Sequence, residues 1–141
     1  MLFVKTKIGL SKINGIGLFA DQFIPRGTLI WKFANGFDLR IDMSNLEDIE
    51  SEPAREQFLK YAYLNSRTLK YVLCFDDARF FNHSENPNVI GIDDVNEEEG
   101  INIAVRDINK NEELTVDYKQ YDADFDNKMK KDEEPRRKYD H

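Results

Sequence analysis

Cysteine, histidine and tryptophan are scarce in this chain of 141 residues. Its single cysteine, Cys74, excludes an internal disulfide and a cysteine-rich zinc cluster. Cys74 lies in the apolar run 71–75, so we expect a buried, unreactive thiol and a reducing environment. No apolar run approaches the ~20 residues that cross a bilayer, and the apolar stretch before Lys5 is too short for a signal peptide. We therefore expect a soluble cytoplasmic domain, with delivery to the nucleus or to another cell left open.

Basic residues are fewer than acidic ones: the chain has 20 Lys and Arg and 27 Asp and Glu, which gives a net charge of −7. Residues 119–141 carry equal numbers of each sign, so the acidic excess lies entirely in residues 1–118. Such a surface repels nucleic-acid phosphates, so we expect no nucleic-acid partner. The acidic surface either attracts basic proteins or simply keeps the chain soluble, and the charge alone does not decide between these two roles.

Short strand-like runs and turns dominate the pattern along the chain. Turns are expected at Asn14-Gly15, near Pro25 and at Asn35-Gly36. The spacing predicts one mainly β domain with an amphipathic helix over residues 53–64. A solvated hairpin loop is expected at residues 93–100. The expected strands are 2–8, 17–20, 28–33, 37–41, 70–75, 88–92, 101–105 and 113–117.

A glycine pair marks the first of three unusual segments, residues 14–20. In Gly15-Ile16-Gly17, the glycines either let the backbone approach a ligand closely or form an ordinary turn. The segment lacks the third glycine and the following helix of a dinucleotide-binding motif, and the chain contains no phosphate-binding loop. On its own, this segment identifies no ligand.

Asn82, His83 and Tyr118 are the candidate functional side chains of the other two segments, residues 77–88 and 111–118. Asn82 and His83 directly follow two phenylalanines, whose apolar side chains are expected to be buried. A buried polar group without a partner costs about 1–3 kcal/mol, so either the protein or a polar ligand must satisfy this pair. Tyr118 ends a strand and either lines a pocket or packs in the core. His83 has no second ligand at metal-binding spacing, so no metal is expected.

Together the three segments resemble the SET domain of protein lysine methyltransferases. Residues 15–20 are similar to the glycine motif of that family. Residues 79–88 are similar to its Arg-Phe-x-Asn-His-Ser-x-x-Pro-Asn stretch, and residues 112–118 to its Glu-Glu-Leu-Thr-x-Asp-Tyr strand. The likeness spans residues 13–118 and is greatest to small stand-alone members from microbes and viruses. It implies a β-clip-like SET fold of small curved sheets, with one or two short helices and a knot-like C-terminal crossing.

The resemblance also implies an activity, the transfer of a methyl group from S-adenosylmethionine to a lysine side chain of a protein. Tyr118 would be the catalytic residue, with its hydroxyl beside the methyl group and the lysine nitrogen. The protein substrate is expected to be lysine-rich and basic, and a homodimer is left open. The alternative is a SET-like binding module for basic proteins with little or no turnover. The residues implied to bind the cofactor are Gly15, Ile16, Gly17, Asn82 and His83.

Three departures from the family pattern affect the expected substrate channel. The family's Tyr-x-Gly is here Ala34-Asn35-Gly36, so Phe33 or Phe37 is expected to form one channel wall. The cysteine that often follows Asn-His-Ser is Glu85. The family's zinc-binding tail is absent, so residues 119–141 are expected to cap the core domain, residues 1–118. The candidate channel and cap residues of this tail are Tyr121, Phe125 and Tyr139.

Overall fold

Ten short strands dominate the structure, a computed structural model that describes residues 1–120 and 122–125. The α-helix α1 spans Glu52–Tyr61, and short 3₁₀ helices lie at Met43–Asp48, Asp77–Phe80 and Tyr118–Gln120. The prediction of a mainly β fold with few short helices is confirmed. In chain order the strands are β1 (Thr6–Leu10), β2 (Ile16–Ala20), β3 (Leu29–Lys32), β4 (Leu39–Asp42), β5 (Tyr63–Leu64), β6 (Lys70–Leu73), β7 (Asn82–His83), β8 (Val89–Asp94), β9 (Glu97–Ala104) and β10 (Thr115–Val116).

The strands form four small sheets. β1 and β2 form an antiparallel hairpin, and two three-stranded sheets have the orders β3-β9-β8 and β4-β6-β5. The fourth sheet is a parallel pair in which Thr115 lies opposite Asn82 and Val116 lies opposite His83. This pair places the second and third chemical segments side by side. The knot-like crossing stays a prediction.

The main core lies between the sheets and consists mostly of aliphatic side chains from six strands and the loops between them. Burying each such side chain stabilises the fold by about 1.5–3 kcal/mol. A smaller cluster packs Phe58 of α1 against Tyr71 of β6, with their ring centroids 5.9 Å apart. The largest fully buried side chains are Leu18, Ile24, Ile30, Ile108, Leu114, Val72, Val89 and Val116.

The helix begins where the sequence predicts and ends earlier. Ser51 caps it, since its hydroxyl accepts a hydrogen bond from the Ala54 N–H at 3.3 Å. Pro53 follows in the first turn, where its missing N–H costs nothing. The helix stops at Tyr61 rather than at residue 64, because Tyr63–Leu64 pair with β6 as strand β5.

The predicted loop at residues 93–100 is wrong in extent. β8 continues to Asp94 and β9 begins at Glu97, which leaves only a tight turn between them. The acidic run permits this because successive side chains of a strand point to opposite faces. The side chain of Glu98 is 52% exposed, whereas that of Glu99 is 1% exposed.

The first strand also lies further along the chain than predicted, at Thr6–Leu10 rather than at residues 2–8. The start of the chain is held against β3, because Leu2 forms an isolated bridge with Trp31 and the Phe3 N–H donates to the Ile30 carbonyl. The terminal amine binds Asp38 at 2.8 Å. Leu2 and Phe3, which the sequence pattern assigned to the first strand, therefore make contacts with β3 instead of belonging to β1.

Cys74 is buried in the main core, as predicted. Burial raises the pKa of its thiol to about 12, so it stays protonated and unreactive at neutral pH. No helix within residues 1–120 and 122–125 is long and apolar enough to cross a membrane.

Candidate active site

Side-chain hydrogen bonds hold the glycine segment against β7. The Asn82 amide nitrogen donates to the carbonyl oxygens of Asn14 (3.1 Å) and Ile16 (3.3 Å). It also donates to the Glu113 carboxylate at 2.9 Å. The Ser11 hydroxyl donates to the same carboxylate at 2.8 Å. One amide and one carboxylate therefore tie the three sequence segments together.

Gly15 and Gly17 serve different physical purposes. Gly15 has a φ of +48°, and a Cβ there would meet nothing within 4 Å. Gly17 has no such space, because a Cβ would lie 2.5 Å from Glu113 Oε2. Gly17 is required for packing within the protein, whereas Gly15 leaves open space beside the backbone.

His83 lies directly beside Tyr118. Its Nδ1 accepts a hydrogen bond from the Tyr118 backbone N–H at 3.1 Å. An accepting Nδ1 carries no proton, so the ring in this geometry is neutral with its proton on Nε2. The Asp117 carboxylate lies 3.6 Å from the same nitrogen, but an ion pair there would require a protonated Nδ1. The His83 ring also packs on Phe125, with 4.9 Å between centroids.

Tyr118 begins the 3₁₀ helix Tyr118–Gln120, two residues after β10, rather than ending a strand as predicted, and its side chain lies in the wall of a cavity. Its hydroxyl donates a hydrogen bond to the carbonyl oxygen of Phe81. Burial, together with the negative charge of Asp122 and the nearby Cys74, raises the pKa of this phenol well above its ordinary value. The hydroxyl therefore stays protonated at neutral pH and cannot act there as a base.

The cavity beside Tyr118 has a volume of about 350 Å³. This is at the small end of the ~300–1,000 Å³ range of ligand pockets in proteins. Gly91 of β8 lies on one side of it without a side chain. The aromatic residues of the wall are Trp31, Tyr61, Tyr63, Phe81 and Tyr118.

The expected channel residues Phe33 and Phe37 do not line this cavity. The Phe33 ring lies beneath the Arg40 guanidinium, 4.1 Å from it. Phe37 packs edge-on against Phe75, with ring centroids 5.1 Å apart. Both rings therefore make their contacts outside the cavity wall.

Trp31, Tyr63 and Glu99 line the cavity and were not predicted from the sequence. Trp31 carried a weak signal, since it is the one tryptophan of the chain and lies in a strand-like run. Glu99 would have been found by treating residues 97–104 as a strand, because alternation places it on the face opposite to Glu98. Tyr63 gave no local signal, since its position depends on the pairing of β5 with β6.

The described part of the tail docks beside the candidate residues. The Asp122 N–H donates to the Tyr118 carbonyl at 2.9 Å, and the Ala123 N–H donates to the Leu64 carbonyl at 2.9 Å. Phe125 is buried and contacts His83. Two further residues predicted for the channel or the cap, Tyr121 and Tyr139, lie outside the described residues.

No group of three or more potential metal ligands comes together in the described part of the chain. The site that the structure presents is built instead from two connected parts. On one side the glycine segment is braced by Asn82 and Glu113. On the other side Tyr118 stands in an aromatic cavity, and His83 joins the two.

The fold of small sheets with the paired strands β7 and β10 is that of a SET domain. Residues 15–119 match the SET domain family, and the chain belongs to that family. It is 34% identical over 111 residues to the Drosophila melanogaster histone-lysine N-methyltransferase trr, a match that covers 77% of this chain and 4% of that protein. It is 30% identical over 118 residues to human histone-lysine N-methyltransferase 2D, covering 82% of this chain and 2% of the relative. The chain thus spans only a few per cent of the length of these relatives.

Solved structures show the same fold. The Neurospora SET domain protein DIM-5, a histone lysine methyltransferase, aligns with a TM-score of 0.55 at 22% identity, over 83% of this chain and 53% of that one. The Chaetomium thermophilum Polycomb Repressive Complex 2, in an autoinhibited conformation bound to S-adenosylmethionine, aligns with a TM-score of 0.66 at 22% identity. That alignment covers 94% of this chain and 17% of the other.

Proposed function

We propose that this chain transfers a methyl group from S-adenosylmethionine to the side-chain amine of a lysine in a protein substrate. The observation that carries the proposal is the position of Tyr118, which stands in an aromatic cavity and bonds to His83, the neighbour of the Asn82 that braces the glycine segment. Membership of the SET domain family supports it. So does the likeness to relatives that are histone-lysine N-methyltransferases.

The residues around the glycine segment suit such a cofactor. Open space beside Gly15 lets a ligand approach the backbone, and the His83 ring offers an Nε2–H donor. When bound, S-adenosylmethionine supplies a methyl group already activated by a positively charged sulfur. The Asn82 amide nitrogen already bonds three oxygens of the chain. We therefore assign the Asn82 side chain to positioning the glycine segment, with Gly15, Ile16 and Gly17 contributing their backbone.

Tyr118 acts by position rather than as a base. Its raised pKa keeps the phenol protonated, and its bond to Phe81 fixes the hydroxyl at one edge of the cavity. With the cofactor bound, the lysine nitrogen would take the methyl group as the bond from that group to sulfur breaks, and Tyr118 would help to hold the amine in line for this transfer. Holding the amine in line removes much of the entropic barrier.

The attacking amine must be neutral. A bound cofactor would bring its positively charged sulfur close to the amine, and this like charge would disfavour the ammonium ion and lower the pKa of lysine. We propose that water carries away the proton. On this account the transfer rate rises with pH as more of the amine becomes neutral. A rate independent of pH between about 7 and 10 would contradict it.

The acidic excess of residues 1–118 supports a lysine-rich, basic protein as the substrate. Residues 119–141 would cap the substrate channel, and the packing of Phe125 on His83 supports this assignment. A cytoplasmic location and a homodimer stay predictions.

A second candidate function is a SET-like module that binds basic proteins with little or no turnover. The observation that favours it is Ala34, which stands where the family often has the tyrosine of its Tyr-x-Gly motif. Such a module would keep the cavity and would not move a methyl group.

Titration calorimetry with S-adenosylmethionine tests the cofactor assignment. We expect saturable binding to the wild-type protein and a dissociation constant raised about tenfold or more in His83→Ala, since the donor and the ring are both lost. Glu85→Ala is the matched control, because Glu85 is exposed and lies two positions further on. No binding at about millimolar cofactor would contradict the proposal. Circular dichroism of each variant separates loss of binding from loss of folding.

A further inference from the structure

Glu99 is a buried carboxylate in the cavity wall, and one of its oxygens has no hydrogen bond. Its side chain is 1% exposed. Oε2 accepts hydrogen bonds from the Tyr63 hydroxyl at 3.0 Å and from the Asn65 amide at 2.8 Å. Oε1 is buried without a hydrogen-bond partner in residues 1–120 and 122–125. The Arg40 guanidinium lies 3.6 Å from Oε1, which gives charge attraction without a hydrogen bond, and Arg40 also pairs with Glu98.

Trp31 contributes a second unsatisfied group to the same wall. The residue is 3% exposed, and its indole Nε1 has no hydrogen-bond partner among the described residues. Folded proteins satisfy nearly all buried polar groups, so each exception requires a physical cause. The unsatisfied atom of Glu99 is an acceptor and that of Trp31 is a donor, and both residues line the same cavity. A ligand that supplies a donor and an acceptor would satisfy both.

The fully buried charged residues of the cavity wall are acidic. Glu99 and Asp122 are buried and Arg79 is half-buried, whereas Asp93, Lys60 and Arg67 are exposed at the rim. Arg67 lies 3.5 Å from Asp93, so part of the rim charge is already neutralised. The interior therefore favours a cation, and the aromatic wall adds to this preference because ring faces attract cations.

We propose that Glu99 binds a second basic side chain of the substrate protein, a lysine or arginine near the target lysine. The inference rests on the proposed function and names the feature by which the cavity selects its substrate. The cation donates a hydrogen bond to Glu99 Oε1, and the peptide that carries it brings carbonyl oxygens to the Trp31 donor. A charged hydrogen bond made in a buried site discriminates strongly against a neutral side chain.

The target lysine itself is a poorer occupant for the Glu99 site. A carboxylate beside an amine favours the charged ammonium ion, and the transfer requires the neutral amine. The cavity also has room beyond one side chain, since Gly91 leaves part of the wall open. A Cβ at Gly91 would meet only the Asn102 side chain, at 3.3 Å. We therefore place the attacking amine beside Tyr118 and the second cation beside Glu99.

Tryptophan fluorescence measures this binding directly, because Trp31 is the one tryptophan of the chain. The ligands are short glycine-serine peptides with a central lysine and one arginine, placed at each neighbouring position in turn. Matched peptides carry citrulline, the neutral isostere of arginine, and a third set carries a second lysine. The titration is run without S-adenosylmethionine, so it does not depend on turnover.

We expect one arginine position at which the wild-type protein binds about tenfold more tightly than it binds the citrulline peptide. Glu99→Gln should remove this preference, so that the arginine and citrulline peptides bind with about equal affinity. Glu98→Gln is the matched control, because it makes the same change of charge on the neighbouring residue that also pairs with Arg40. It should keep the preference.

Two results would overturn the assignment: no position at which a positive charge tightens binding, or a preference that survives in Glu99→Gln. Should Glu99→Gln fail to fold, Glu99→Asp keeps the charge and withdraws it from the cavity. An unchanged preference in that variant would also overturn the assignment. A protein that shows the Glu99-dependent preference but transfers no methyl group would contradict the proposed function and leave the cation site standing.

Discussion

The two halves of the candidate site differ in how they satisfy their polar groups. On the glycine side, Asn82, Glu113 and Ser11 bond to one another and to the backbone. On the cavity side, Glu99 and Trp31 each leave a buried polar atom without a hydrogen bond within the described residues. The first half is complete without a ligand, and the second half is not.

This difference indicates that the glycine side holds the site in position, whereas the cavity side recognises a ligand. A network whose members satisfy one another holds its geometry whether or not a ligand is present. Unsatisfied groups in a cavity gain their partners from a ligand, so they contribute to selecting it. We therefore expect substitutions on the glycine side to change stability, and substitutions on the cavity side to change binding and turnover.

The largest expected effect is on the cavity side. Tyr118→Phe should reduce the turnover number about 100-fold or more, because it removes the hydroxyl that we propose to lie beside the reacting atoms. The dissociation constant for S-adenosylmethionine should change less than about threefold, since the His83 contact is to the Tyr118 backbone. Steady-state kinetics and calorimetry measure the two quantities separately.

Tyr71→Phe is the matched control for Tyr118→Phe. Tyr71 is also buried, but it packs on Phe58 in the smaller core cluster and does not line the cavity. Turnover in this variant should stay close to that of the wild type. Equal loss in both variants would mean that the Tyr118 hydroxyl has no special part in transfer.

A smaller effect is expected from Gly17→Ala on the glycine side. The added methyl group would lie 2.5 Å from Glu113 Oε2, so the carboxylate must move and the brace must loosen. We expect the free energy of unfolding to fall by about 1–3 kcal/mol, measured by urea denaturation.

A double-mutant cycle identifies the cause of that loss. Glu113→Ala removes the atom with which the new methyl group collides, so Gly17→Ala should cost clearly less in the Glu113→Ala background. The interaction free energy should be at least about 1 kcal/mol. Purely additive losses would show that the collision with Glu113 does not cause the instability.

The smallest expected effect is a dependence of stability on alkaline pH. The thiol of Cys74 ionises near pH 9.0 when unfolded but only near pH 12 when folded, so the folded state keeps a proton that the unfolded state loses. The raised pKa of Tyr118 acts in the same direction above the ordinary range of tyrosine. Stability should be constant from neutral pH to about pH 9 and then fall by about 1 kcal/mol per pH unit.

Cys74→Ala serves as the control for the pH dependence. This variant is less stable at all pH values because it leaves a small cavity, but its decline above pH 9.0 should be shallower. Urea denaturation at neutral pH and at about pH 11 provides the comparison. A decline of equal slope in both proteins would show that Cys74 does not contribute to it.

The sequence predicted those parts of the molecule that depend on local patterns. The mainly β fold and the start of α1 just after Ser51 followed from alternation, turn residues and the residues that begin a helix. The extent of β8 and β9 was underestimated because a run of acidic residues suggested a loop. Because side chains alternate between the two faces of β9, one carboxylate of that run, Glu99, is buried in the cavity wall.

The site was predictable only in part for a related reason. Asn82, His83 and Tyr118 stood out by their motifs, and the parallel pairing of β7 and β10 brings them together. The cavity wall depends on contacts between distant strands, which no local pattern encodes. Trp31 therefore lines the wall where Phe33 had been expected.

The most direct test of the central claim is a search for methylated lysine by mass spectrometry. A mixture of basic proteins, including purified histones, is incubated with S-adenosylmethionine and either the wild-type protein or Tyr118→Phe. We expect methyl-lysine to form on at least one protein with the wild type and to fall to about 1% of that amount with the variant. Methyl-lysine at equal levels with both proteins, or none with the wild type, would contradict the claim.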